Sequence, residues 1–162
     1  MASKKGIGIT IVILAVITGA SFLFWIDPQE TKSTFVISDY ENYLDGVKNI
    51  HEVLQESVEE EFADMKNGRI TAEEYIKVAD VTTSQVSAKI SEFVTSKPPE
   101  QWQESYINYM EALKRFNSYV IETKVYATLM MEEKDTSAIA QKIEDLQKEA
   151  QEFVKISDEL RP

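Results

Sequence analysis

The most constraining feature of the chain is one uninterrupted apolar run. Residues 6–26 read GIGITIVILAVITGASFLFWI, 21 positions without a charge. About 20 such residues are enough for a helix to cross a bilayer core of roughly 30 Å. Lys4 and Lys5 precede the run, while Asp27 and Glu30 follow it. The positive-inside rule then keeps residues 1–5 as a cytoplasmic stub and puts residues 27–162 outside. Phe24 and Trp25 fall where an interfacial aromatic anchor is expected. The expected product is a single-pass protein of the cell membrane.

Two other readings of the same segment are open. In a cleaved secretory signal, Thr18 and Ala20 would supply the small residues before the cleavage point. The apolar stretch Phe22-Leu23-Phe24-Trp25-Ile26 continues past that point, where a polar region belongs. Lys4-Lys5-Gly6 ahead of the run also resembles the processing site of archaeal type IV pilin precursors. That resemblance covers about 20 residues and implies a filament subunit. Ile11 stands where such precursors carry an acidic residue. If the run is an anchor, Ala15 and Gly19 give it a small-xxx-small spacing, which permits close packing against other spans.

Beyond the run the chain is acidic and helical in composition. Residues 27–162 hold all 28 acids and 15 of the 17 bases, a net charge of -13. Their glycines are Gly46 and Gly68, and their prolines are Pro28, Pro98, Pro99 and Pro162. Such a charge excludes nucleic-acid binding driven by bulk attraction. With no cysteine, disulfide scaffolds, thiolate metal sites and cysteine nucleophiles are excluded too.

Apolar positions recur in steps of three and four over four segments, the mark of amphipathic helices. The first segment spans residues 38–66 and stops at Asn67-Gly68. The second starts at a capping box, with Thr71 as cap and Glu74 reaching back. Lys97-Pro98-Pro99 breaks it, and a proline suits the first turn of the third. The third is apolar over a wide arc: Ile107, Tyr119, Ile121, Val125 and Tyr126 lie off its main stripe. The fourth follows Asp135-Thr136 and carries heptad spacing through Ile139, Ile143, Leu146, Ala150, Phe153, Ser157 and Leu160. Short connections force antiparallel neighbours. The expected fold is all-α: a transmembrane helix at 6–26, a linker at 27–35, and an up-down-up-down four-helix bundle at 36–162.

Several residue groups invite a function. His51 interrupts the first stripe, Thr82 and Thr83 the second, and Asn117 flanks the third, all near mid-helix. Together they predict a polar layer across the core: hydrogen-bonded and fixing register, reaching water at the stripe's edge, or forming a small-ligand or pH-sensitive site around His51. The stretch around Asn67, Gly68 and Glu74 resembles the second half of an EF-hand calcium loop. Ala63 and Met65 stand where that resemblance needs oxygen ligands. Trp102, Tyr119 and Tyr126 are candidate interface residues, the two tyrosines one heptad apart.

Catalytic chemistry has no such foothold. A di-iron bundle needs Glu-x-x-His on two helices, and the single histidine has Lys48 three residues before it. No nucleophile elbow and no glycine-rich phosphate loop occur. The expectation is a non-catalytic accessory or scaffold subunit without a cofactor, partnered by integral membrane proteins. The alternatives are a tethered module for a small ligand or metal, and a pilin-like filament subunit.

Overall fold

The computed structural model describes residue 37 and residues 39–162, which belong to one compact unit, Thr34–Pro162. The apolar run with Ala15 and Gly19, the anchor, signal and leader readings, and the linker through residue 35 lie outside the described residues. Four helices make up the fold: α1 Tyr40–Lys66, α2 Ala72–Ser96, α3 Glu100–Met131 and α4 Ser137–Glu159. Among the described residues there is no strand, and no helix is long and apolar enough to cross a membrane.

Each helix end has a local cause. The Asp39 carboxylate accepts the Asn42 backbone N–H at 3.0 Å, so α1 begins at Tyr40 rather than at residue 38. Gly68, at φ 70°, ends α1 in the left-handed conformation that glycine adopts at little cost. The predicted capping box of α2 is present in both directions: the Thr71 hydroxyl accepts the Glu74 N–H, and the Glu74 carboxylate accepts the Thr71 N–H. Left-handed Lys97, at φ 44°, closes α2. Pro99 is the residue before α3, so the prolines precede its first turn. At the start of α4 the Asp135 carboxylate, not Thr136, takes the Ser137 N–H, at 3.0 Å.

Neighbouring helices run antiparallel. Tyr43 near the start of α1 donates to Glu92 near the end of α2 at 3.0 Å. Tyr75 near the start of α2 donates to Thr123 in the second half of α3 at 2.5 Å. Ser105 near the start of α3 donates to the Ser157 carbonyl near the end of α4 at 2.9 Å. The core runs the length of the bundle, from Leu44, Val47, Phe93 and Tyr106 to Phe62, Tyr75, Val120 and Ala127.

The four seams are not equivalent. α3 packs most extensively on α4 and then on α2, while α1 rests on α2 and α3. In a regular up-down-up-down bundle α1 and α4 would close the ring as neighbours. Here their backbones stay farther apart than those of α1 and α3. Long side chains span the gap instead: Lys48 to Asp158, Gln147 to Glu59, and Arg161 to Asp45, each at 2.6 Å.

Candidate functional site: the open seam between α1 and α4

The open seam holds two cavities, both roofed by α1 and α4 and floored by α3. The upper one, of about 160 Å³, is lined by His51, Gln55, Tyr109, Gln151 and Val154 among others. The lower one, of about 360 Å³, is lined by Phe62, Lys66, Tyr119, Tyr126, Ile143 and Glu144 among others. Glu59 also faces the lower cavity, and its carboxylate accepts amide protons from Gln55 at 2.8 Å and Gln147 at 2.6 Å.

His51 is 4 % exposed and faces Tyr109, with Nδ1 and the phenol oxygen 3.1 Å apart. Phe116 covers its other side at 4.6 Å between ring centres. Burial pushes the imidazole down to about 4, because a charged ring there would lose its water. Its Nε2 atom is buried and has no hydrogen-bond partner among the described residues.

The polar layer does not form as a hydrogen-bonded layer across the helices. The Thr82 and Thr83 hydroxyls donate to the carbonyls of Val78 and Ala79 in their own helix, at 3.1 and 2.8 Å. Such back-bonding satisfies a threonine without any cross-helix partner. Asn117 is half-buried, with its Oδ1 unpartnered among the described residues. No hydrogen bond links His51 to Thr82, Thr83 or Asn117. The partner it does have, Tyr109, lies on the main stripe of α3, where periodicity alone reads it as core.

The aromatic candidates are also placed differently than expected. Trp102 is buried, edge-on to Tyr106 with ring centres 6.2 Å apart. Tyr119 is 3 % exposed and stacks on Phe116 at 5.9 Å. Tyr126 is half-buried and meets Phe62 edge-to-face at 5.1 Å. The heptad pair Tyr119 and Tyr126 therefore does not form an outward patch; both rings line the lower cavity. The reason is topological: α3 touches three helices, so a wider arc of it is covered. The outward face belongs to Ile107, Ile121 and Val125, which are 54, 42 and 38 % exposed.

The calcium-loop candidates have other duties. Both the backbone N–H and the hydroxyl of Thr71 donate to Glu74, at 2.8 and 3.1 Å. Asn67 caps the end of α1, and Asp64 pairs with Arg69 at 2.8 Å. Helix stop and helix start account for the segment. Among the described residues, no three metal-ligating side chains stand together.

Two lower-cavity residues outside the polar and aromatic candidates carry a sequence signal of their own. Phe62 and Lys66 are four apart on α1, the spacing that places an ammonium over a ring. The Lys66 Nζ lies 4.6 Å from the Phe62 ring centre. The chain matches no protein-family model, no curated protein and no solved structure.

Proposed function

We propose that this protein is a non-catalytic, membrane-anchored extracytoplasmic bundle that serves as an accessory or scaffold subunit of a larger membrane complex. The observation that carries the reading is the outer face of α3. Ile107 and Val125 are 18 residues apart, five helical turns, so they share one line, and Ile121 sits one turn before Val125. Apolar side chains exposed in register on a helix suit a protein contact. The uncharged run at 6–26 supports attachment to a membrane, and the -13 charge of the remainder supports a bundle that stands away from anionic headgroups. The setting of the lone histidine supports a binding role: it meets the Tyr109 hydroxyl and the Phe116 ring, with Lys48 and Glu52 at the same cavity.

The test is detergent extraction of the tagged full chain, affinity purification and mass spectrometry. Polytopic proteins should co-purify at fixed stoichiometry. Replacing Ile121 and Val125 by Glu should release them while thermal unfolding stays nearly unchanged. Purification of the chain alone, or partners retained by the double variant, contradicts the proposal.

A second reading, a tethered module for a small ligand, is favoured by the two seam cavities and the unpartnered His51 Nε2 atom at the upper one.

A further inference from the structure

We propose that the lower cavity of the α1–α4 seam is a binding site for an organic ammonium ion with an apolar body. The inference rests on the ligand-binding reading of the seam and does not depend on the membrane anchor. Four observations converge on it. First, the walls are aromatic: Phe62, Tyr119 and Tyr126 line the space, with Ile143 beside them. Ring faces carry negative potential and attract cations, the more so where water is scarce. Second, the charges at the cavity are two carboxylates, Glu59 and Glu144, against one ammonium, Lys66. Burial above all, then the nearby Tyr75 and last the Glu59 charge push the Tyr119 phenol above its ordinary range.

Third, the Tyr119 hydroxyl has no hydrogen-bond partner among the described residues although the residue is almost wholly buried. That hydroxyl is not itself sealed off: it lies at the cavity wall, where it can accept a hydrogen bond from an N–H donor. Fourth, the protein already sets a cation on one of these rings. Lys66 holds its ammonium over Phe62 at the edge of the cavity. It acts as an internal stand-in that an incoming ammonium displaces. An anion would instead meet two carboxylates against the single Lys66 ammonium.

The probes are phenethylammonium, the neutral hydrocinnamyl alcohol and the anionic hydrocinnamate, titrated into the full-length protein in detergent. Binding is read from the ring resonances of Tyr119 and Tyr126, which separates the site from partition into micelles. Phenethylammonium should bind about tenfold more tightly than the alcohol, the scale of one desolvated cation–ring contact. Lys66→Ala should tighten the ammonium severalfold by removing the competitor, and Glu144→Gln should weaken it. Lys66 and Glu144 are both exposed, so these variants retain the fold. Equal binding of ammonium and alcohol overturns the cation assignment and leaves the ligand reading standing. Preference for hydrocinnamate, weakened by Lys66→Ala, makes the site anionic in specificity and also overturns it. Failure of all three probes to move either tyrosine removes both readings.

Discussion

The seam between α3 and α4 and the seam between α1 and α4 share a helix yet are built from opposite materials. Where α3 meets α4, Ser105, Ala150 and Ser157 are small and buried, and the backbones close up until Ser105 bonds the Ser157 carbonyl directly. Where α1 meets α4, the contacts are made by Lys48, Glu59, Gln147 and Arg161, side chains long enough to span a gap. Small residues let helices approach, and the reward is continuous dispersion contact. Long polar residues hold helices at arm's length, at little net gain where water competes. One seam is therefore closed by packing, and the other is bridged by long side chains around two cavities.

The largest effect should come from forcing the closed seam apart. Ser157→Leu overpacks a fully buried site and forces α3 and α4 apart, which strains the Ser105 bond to the backbone carbonyl of residue 157, so urea unfolding should show a loss of about 3 kcal/mol. A loss below about 1 kcal/mol would mean that this seam is as yielding as the other.

The next effect probes the upper cavity. The unfolded His51 imidazole titrates near its ordinary 6.5 and the folded one near 4. Between these values the unfolded chain binds a proton that the folded chain refuses. The contribution is thus fully present above pH 6.5 and is lost as the pH falls towards 4, a total of about 3 kcal/mol. Stability measured against pH should show this slope in the native protein and lack it in His51→Leu, which should also be the more stable at pH 5. An unchanged slope would show that the open seam already hydrates His51.

A reference away from both seams is Thr71→Ala. Removing the capping box between α1 and α2 should cost about 1 kcal/mol by thermal unfolding. The smallest effect belongs to the open seam itself. Gln147→Leu and Lys48→Ala should each change stability by less than about 0.5 kcal/mol. A cost above about 1 kcal/mol from either would make the bridging side chains true struts.

How much of this is legible in the sequence differs by level. Helix ends were readable where the signal is local: Gly68, the pair Thr71 and Glu74, and the run Lys97-Pro98-Pro99 each act within a few residues. The stripes of α1 and α4 match their buried faces at Leu44, Leu54, Ile143 and Leu146. Periodicity does not show where a stripe stops being covered: Val94, one turn after Ile90 on α2, and Met131, one turn after Ala127 on α3, are exposed. It also places Tyr119 on the surface, because a helical wheel shows angle but not the number of neighbours. The gap between α1 and α4 has no one-dimensional signature: α4 has a regular heptad pattern, and most of that pattern is spent on α3. The threonine hydroxyls illustrate a further limit, since a polar residue on an apolar stripe can be satisfied by its own helix.

Native-state hydrogen exchange of the full chain probes the contrast between the closed seam and the bridged one. Exchange should proceed through openings of graded free energy. The α1 amides around His51 and Gln55 should exchange through cheaper openings than the α3 amides around Leu113 and Val120. Equal protection of α1 and α3, with every core amide exchanging only on global unfolding, would contradict that contrast.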